Sequence, residues 1–199
     1  MAMAAHDSPQ WRNSDGFLTG KLLIAMPGMA DPRFEKSVIF VCSHSSDGAL
    51  GLIVNKPLEG LPFRDLMTQM DIPVTESTPR VPVMFGGPVE TDRGYVLHSN
   101  ERSNSPATLS VTSEIALTPT IDILRAIARG TGPQKFLFAL GYAGWGAGQI
   151  EDEIAGNGWI HCDADAELVF RGDAGSKWSL ALAKLGANIS GLSSDIGHA

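Results

Sequence analysis

Short apolar runs alternate with turn-forming residues along most of this chain of 199 residues. The longest uninterrupted runs are Leu22–Met26, Val38–Cys42 and Phe136–Leu140. Each has the length of a β-strand, and each is far shorter than the ~20 residues that a helix needs to cross a bilayer. The pattern therefore predicts many short buried strands and no membrane-spanning helix.

Segments rich in β-branched and aromatic residues predict the positions of the strands. Phe17–Met26 and Ser37–Ser43 are the first two, and Ser45-Ser46-Asp47-Gly48 is predicted to be a four-residue hairpin loop leading to Ala49–Val54. Asn55-Lys56-Pro57 should end that strand, because proline cannot donate to a β-ladder. Further strands are predicted at Val81–Phe85, Tyr95–His98, Thr108–Val111, Glu114–Leu117, Phe136–Leu140, Trp159–Cys162 and Glu167–Phe170.

Four segments have the apolar spacing or the end signals of helices. The first begins at Pro62, and its apolar residues repeat at the i, i+3, i+4, i+7 spacing from Phe63 to Met70. The second helix is predicted to be capped by Thr118, with Pro119 at its first position and Ile121, Leu124 and Ala128 on one face. The third is a short acidic helix over Gln149–Ala155. The last is an amphipathic helix capped by Ser176, and its apolar face consists of Trp178, Ala181, Leu182 and Leu185.

The predicted strands outnumber the helices, and hairpins connect many of them. The class is therefore α+β, with a mixed, mostly antiparallel sheet flanked by a few helices. No linker or composition break divides the chain, so we expect one domain over residues 17–185 with flexible tails at 1–16 and 186–199. A doubly wound nucleotide-binding fold is disfavoured because the strict βαβαβ alternation is absent.

Charge and cysteine usage limit the compartment and the partners. The chain carries 15 Lys and Arg against 22 Asp and Glu, a formal charge of -7, and has no basic run. Direct nucleic-acid binding and attachment to an anionic membrane are therefore not expected. Cys42 and Cys162 are far apart, and the start of the chain lacks a signal-peptide core, so we expect reduced thiols in a cytoplasmic protein. We also expect a monomer or a weak homodimer.

The glycine-rich segment Gly141–Gly148 lies between a predicted strand and a predicted helix. Such a turn can present backbone N–H groups to an anion. The dinucleotide pattern fails here, because Gly144 and Gly146 would need a further glycine where Gln149 stands, and the carboxylates of residues 151–153 would repel a phosphate. We therefore interpret the segment as a tight turn with close packing at Trp145. Gly146→Ala should cost about 1 kcal/mol or more if the φ there is positive.

A second glycine pair, Gly86-Gly87, follows a predicted strand at a sharp bend. It is interpreted as a bulge or type II turn, and the alternative is that it lines a pocket beside the first glycine segment.

Two groups of side chains could carry chemistry. Cys42 and His44 are predicted to share one face of a strand, which is a possible half-site for zinc or a nucleophile pair. The second group consists of carboxylates, which are clustered at Glu151–Glu153 and at Asp163 and Asp165. No third ligand has a recognisable spacing, so no metal and no cofactor are expected. The simpler interpretation is that the Cys42 thiol is buried in the core and that the carboxylates lie at a helix end and in solvated turns.

Several distinctive segments occur in a characteristic order: Leu18–Pro27, Phe34–Val38, His44 with Gly48–Asn55, Gly86–Val89, and Gly141–Gln149 with Glu151, Glu153 and Trp159. Over residues 17–171 this set resembles the YqgE/AlgH family of uncharacterised bacterial proteins. The resemblance implies a compact α+β fold whose bent sheet forms a partly open pseudo-barrel. It transfers no catalytic residues, because the family has none established. Its AlgH branch is labelled a candidate transcriptional regulator of alginate synthesis.

The function predicted from the sequence is that of a non-enzymatic binding or regulatory protein that acts indirectly on gene expression. It would engage a small molecule or a protein through the surface near the two glycine segments. The candidate ligand-binding residues are His44, Asn55, Gly86, Gly87, Gly144, Trp145 and Gly146. The alternatives are a hydrolase-like enzyme that uses Cys42 and His44 or the Glu151–Glu153 carboxylates, and a direct transcriptional regulator. No helix-turn-helix pair stands out, because strands separate the predicted helices.

Overall fold

β-Branched and aromatic residues build a curled sheet of ten strands in the computed structural model, which describes residues 17–102 and 105–186. In chain order the strands are β1 Lys21–Ala25, β2 Val38–Ser45, β3 Gly48–Ile53, β4 Pro57–Pro62, β5 Pro82–Phe85, β6 Val89–Ser99, β7 Leu109–Ser110, β8 Ile115–Thr118, β9 Phe136–Gly146 and β10 Trp159–Asp163. The helices are α1 Phe63–Gln69, α2 Ile121–Ala128, α3 Gln149–Ala155, α4 Ala166–Phe170 and α5 Lys177–Lys184.

The long strand β9 lies at the centre of the sheet. The strand order is β10-β1-β2-β3-β9-β6-β8-β7, and β5 joins β9 beside β3 and carries β4 on its other edge. One edge of β9 pairs with β6, and the other edge pairs first with β5 and then with β3. The pairing of β5 with β9 is parallel, and the other described pairings are antiparallel. The predicted class, α+β with a mixed, mostly antiparallel and bent sheet, is confirmed.

Buried residues cover both faces of the sheet. One face carries the largest core, where Leu22, Phe40 and Leu52 pack with Trp178 and Leu182 of α5. The opposite face carries two smaller cores. One lies under α3 and contains two tryptophans, and the other lies under α1 and α2. The predicted apolar stripes of α1 and α5 are confirmed, since Phe63, Met67, Trp178, Ala181 and Leu182 are buried.

Several predicted elements differ from the structure. The hairpin between β2 and β3 has a tighter turn than the predicted four-residue loop, because Ser45 pairs directly with Gly48. Pro57 does lie beyond the end of β3, but it also begins the edge strand β4. Thr118 belongs to β8 and does not cap α2, whose N-cap is Thr120. The predicted strand Glu167–Phe170 is wrong: it is the helix α4, and the Asp165 side chain caps it by accepting a hydrogen bond from the Leu168 N–H.

The predicted tails, residues 1–16 and 186–199, lie outside the described residues except for Gly186. The single-domain division of the chain therefore stays a prediction. None of the helices in the described ranges combines the length and the apolar character needed to traverse a bilayer.

The turn between β5 and β6 crosses β9 with its main chain in direct contact. The Gly86 N–H donates to the Leu140 carbonyl at 2.8 Å, and the Gly86 carbonyl accepts from the Ile53 N–H at 2.9 Å. A Cβ at Gly86 would lie 2.2 Å from the Gly141 oxygen, and one at Gly87 would lie 2.1 Å from the Tyr142 carbonyl carbon. Only glycine allows the two backbones to come this close.

We predict that Gly87→Ala lowers the stability by about 2–4 kcal/mol, since its Cβ meets rigid backbone rather than a flexible side chain. For a chain of this length that corresponds to a melting temperature lower by about 5–15 °C in calorimetry. Gly60→Ala is the matched control: Gly60 has a φ of +75°, and a Cβ added there would have no neighbouring atom within 4 Å. It should cost only about 1 kcal/mol. Equal losses in the two variants would contradict the close crossing.

Candidate functional site

The glycine-rich segment is mostly strand, which corrects the predicted turn. Gly144 pairs with Leu50 and Gly146 pairs with Gly48, so both belong to β9. Neither has a positive φ. Beyond the adjoining residues, the nearest atom to a Cβ added at Gly146 would be the Gln149 Oε1, at 3.8 Å. Alanine is therefore accommodated there, and the conditional destabilisation by Gly146→Ala does not apply. The actual turn is confined to Ala147 and Gly148, between β9 and α3.

The structure does bring the two glycine segments together. Gly86 and Gly87 lie against residues 141–143, and backbone atoms fill the space between them. Gly144 and Gly146 lie further along β9 and are exposed. The predicted binding surface near these glycines therefore consists of closely packed main chain and an exposed strand end.

Trp145 is an anchor for α3. Its indole N–H donates to the Glu153 carboxylate at 2.9 Å, and the Trp159 indole N–H donates to the same oxygen at 2.8 Å. The Gln149 amide donates to the other Glu153 oxygen at 2.8 Å. Charge-assisted bonds of this kind are stronger than neutral ones. The Glu153 carboxylate thus joins β9, α3 and β10, and Trp145 is 7 % exposed.

Asn55 closes the loop that precedes β2. Its Oδ1 accepts from the Val38 N–H at 2.8 Å, and its amide nitrogen donates to the Lys36 carbonyl at 2.8 Å. Lys36 has a φ of +53°, so the amide side chain holds a backbone turn in an uncommon conformation. Both polar groups of Asn55 have protein partners.

His44 is buried on the face that α3 covers. The Leu18 N–H donates to His44 Nδ1 at 3.0 Å, so the proton of the neutral ring is on Nε2. Nε2 lies 3.0 Å from Glu151 Oε1, but the two groups are not aligned for a directed hydrogen bond. The Phe17 ring packs edge-on against the imidazole, with 4.7 Å between the centroids.

The prediction that Cys42 and His44 share a face is wrong. A β-bulge between Val41 and Ser43 shifts the register of β2 against β3. Cys42 therefore packs in the largest core with Phe40, whereas His44 pairs with Ala49, which packs in the core under α3. Burial also raises the pKa of the Cys42 thiol, which disfavours the thiolate that nucleophilic chemistry needs.

The predicted acidic clusters are divided among separate structural contacts. Glu151 lies beside His44, Glu153 binds the two indoles, and Asp163 pairs with Lys21. Asp165 pairs with Lys184 and caps α4. Within residues 17–102 and 105–186, no group of three His, Cys, Asp or Glu residues is placed to hold a metal ion.

A cleft of about 390 Å³ lies on the other half of β9, away from the glycine segment. Its walls come from the sheet and from the segment that joins α4 to α5. They are lined by Pro57, Val81, Pro82, Met84, Phe136, Leu137, Phe138, Phe170, Gly172, Asp173, Ala174 and Lys177. We call this the Lys177 cleft. None of the seven predicted binding residues lines it.

Lys177 is a lysine buried in an apolar setting, with 2 % of its surface exposed. Its Nζ donates to the Val169 carbonyl at 2.6 Å and to the Val54 carbonyl at 3.2 Å. No carboxylate of the described residues lies within ion-pair distance of it. Burial lowers the pKa of Lys177 to about 8, because the ammonium has lost its hydration.

A larger cleft, of about 510 Å³, lies between β4 and α1 and contains Arg64 and Arg80. The Arg64 guanidinium already donates to the Thr75 and Thr78 carbonyls, and Arg80 is exposed. This cleft therefore contains no buried charge that requires a partner. The Lys177 cleft is the stronger candidate for a binding site.

The position of Lys177 in the sequence carries a signal for its burial. Lys177 precedes Ala181 by one helical turn, so it falls on the apolar stripe predicted for the last helix. A lysine at such a position either directs its ammonium to the surface or is buried with it. Here the helix start lies close to Val54 and to α4, and the ammonium is held inside by the two carbonyls.

We predict that Lys177 makes the stability depend on pH. The folded state releases this proton near pH 8, and the unfolded chain releases it near 10.5. The cost of burying the ammonium is therefore complete below pH 8 and is relieved as the pH rises from 8 to 10.5. Relative to Lys177→Met, the wild type should gain about 2 kcal/mol in unfolding free energy between pH 7 and pH 10.

Lys184→Met is the control for this measurement. Asp165 raises the pKa of Lys184, so its contribution should not change over the same interval. A difference between wild type and Lys177→Met that stays constant from pH 7 to pH 10 would contradict the burial of a titrating ammonium.

Comparison with known proteins connects this fold to a family. A family model described as AlgH-like matches residues 22–190. A UPF0301 protein of Rhodopseudomonas palustris (strain BisB18) is 52% identical over 190 residues, which cover 92% of this chain and 89% of the relative. One from Jannaschia sp. is 55% identical over 183 residues, covering 92% and 95%.

Two solved structures share the fold. The solution structure of the AlgH protein from Pseudomonas aeruginosa is 40% identical, with a TM-score of 0.75, and the match covers 98% of this chain and all of that one. A Corynebacterium diphtheriae crystal structure with a TM-score of 0.69 is 17% identical and supports the fold alone. The resemblance seen in the sequence is confirmed: the chain belongs to the AlgH-like family of UPF0301 proteins.

Proposed function

We propose that this protein is a non-enzymatic binding protein with a regulatory role, and that it holds a small organic molecule in the Lys177 cleft. The observation that carries the proposal is a buried lysine in the lining of an otherwise largely apolar cleft, for which the described part of the chain supplies no carboxylate partner. Small-molecule sites are typically concave, apolar and supplied with a few placed polar groups. The volume of about 390 Å³ lies within the range of such sites.

The position of the cleft supports a regulatory role. Its walls belong to two parts of the chain, the sheet with Met84 and Phe138, and the C-terminal segment with Phe170 and Ala174. A bound molecule would contact both parts and so favour the arrangement in which they are packed together. Any partner that recognises the C-terminal helices would then respond to the ligand, which would allow an indirect effect on gene expression.

An enzyme finds less support from the same geometry. Cys42 and His44 are on opposite faces of the sheet. The carboxylates of Glu151, Glu153 and Asp163 each contact a different group: His44, the two indoles and Lys21, respectively. The distribution of charged side chains does not support a direct transcriptional regulator. Within residues 17–102 and 105–186, seven cationic side chains are paired with carboxylates, namely Lys21, Arg33, Arg93, Arg125, Lys135, Arg171 and Lys184.

A thermal-shift panel of small molecules tests the proposal. The panel combines one apolar chain with different head groups: carboxylate, amide, alcohol and amine. At least one member should raise the melting temperature of the wild type. Ala174→Trp fills the Lys177 cleft and should abolish that shift, because the indole occupies the ligand's volume.

Ala147→Trp is the matched control. It places the same side chain in the exposed glycine-rich turn, where the sequence predicted a site, and should leave the shift unchanged. A panel without any stabilising member would contradict the proposal. A shift that survives Ala174→Trp but disappears in Ala147→Trp would move the site to the glycine segments.

A further inference from the structure

The Lys177 ammonium has more donors than its protein partners can use. A protonated lysine carries three N–H donors and no acceptor. Two of them are taken by the Val169 and Val54 carbonyls, and no third acceptor is found among the described residues. The site therefore has an open donor and a charge that the described residues do not compensate. A buried charge without a counter-ion costs several kcal/mol in general.

The electrostatics of this position favour an anion. Lys177 is the first residue of α5, where the helix dipole adds a partial positive charge. The ammonium and the helix end therefore have the same sign. One negative charge would neutralise Lys177, whereas a phosphate dianion would leave a net charge in an apolar cleft.

Resting on the function proposed above, we infer that the ligand of the Lys177 cleft is an apolar molecule with a single carboxylate. The carboxylate pairs with the Lys177 ammonium and accepts its third N–H. The apolar part lies against the walls formed by Met84, Phe136, Phe138 and Phe170. A saturated medium-chain acid has this chemistry and is the simplest probe.

Few other charged groups of the described residues lie near Lys177. Asp173 lines the same cleft, and one of its oxygens accepts from the Ser176 N–H at 3.1 Å. On α4, Glu167 is paired with Lys135 and Arg171, and on α5, Lys184 is paired with Asp165. Lys36, from the loop before β2, lies over the Trp178 ring at 5.9 Å. Burial accounts for the lowered pKa of Lys177, and no neighbouring charge contributes to the shift.

Calorimetric titration of the full chain with octanoate, octanamide and octanol tests the inference. These probes share one chain length and differ in the head group. At pH 7 octanoate should bind at least tenfold more tightly than the two neutral probes. Lys177→Met should remove this advantage while octanol binding persists, and Lys184→Met should keep it.

The pH profile of the wild type gives a second measurement that needs no variant. Octanoate requires the ammonium, so its affinity should fall by about 30-fold between pH 7 and pH 9.5, given a pKa of about 8 for the free site. Octanol affinity should stay constant.

The outcomes separate the inference from the proposed function. Octanol that binds as tightly as octanoate, with both blocked by Ala174→Trp, would overturn the carboxylate and leave the binding cleft in place. The same conclusion follows if octanoate affinity does not change up to pH 9.5. If none of the three probes binds, and the wider panel produces no shift either, both the inference and the proposed function fail.

Discussion

Strand β9 changes its hydrogen-bonding partner along one edge, from β5 to β3, and the rest of the sheet is arranged around this change. The exchange occurs where Gly86 and Gly87 cross the strand, and main-chain contact at the crossing leaves no room for a side chain. Gly141 has a φ of +72°, and the side-chain alternation of β9 switches there. Ala139 before it and Tyr142 after it therefore pack against the same core.

This switch separates two regions with different tasks. The second half of β9 carries Trp145, which shares the Glu153 carboxylate with Trp159 and so fixes α3 across the sheet. The indoles and the carboxylate that join these elements all have protein partners. The first half of β9 faces α4 and α5, and there the packing leaves a cleft with Lys177 in its lining. The ammonium with an open donor lies at this end.

Local sequence patterns predicted the fold class and most of the elements, because apolar periodicity and turn residues act over short distances. The stripes of α1 and α5 and the hairpin of β2 and β3 are examples. The extension of β9 through Gly141–Gly146 was not predictable in this way, since glycines usually end strands and only the neighbours β3 and β6 keep this one extended. Segment Glu167–Phe170 was predicted as a strand from its composition, and the cap by Asp165 makes it a helix.

The candidate site was the least predictable part. The bulge at Cys42 moved His44 to the opposite face, and a bulge depends on how two strands pair rather than on either sequence alone. Trp145, Asn55 and His44 were chosen because their residue types can bind ligands, yet each is occupied by contacts with the protein itself. Lys177 was missed because its burial arises from long-range packing against Val54, which is distant in the chain.

Lys177 is a buried ammonium that has no counter-ion among the residues the structure describes, and its titration can be observed directly. Heteronuclear NMR of the lysine side chains, with Lys177 assigned from a Lys177→Arg variant, follows each Cε resonance against pH. A midpoint for Lys177 near pH 8, with the pKa of Lys184 raised above its usual range, is the result expected from their surroundings. A Lys177 midpoint close to 10.5 would contradict the burial and, with it, the reason to place a ligand in this cleft.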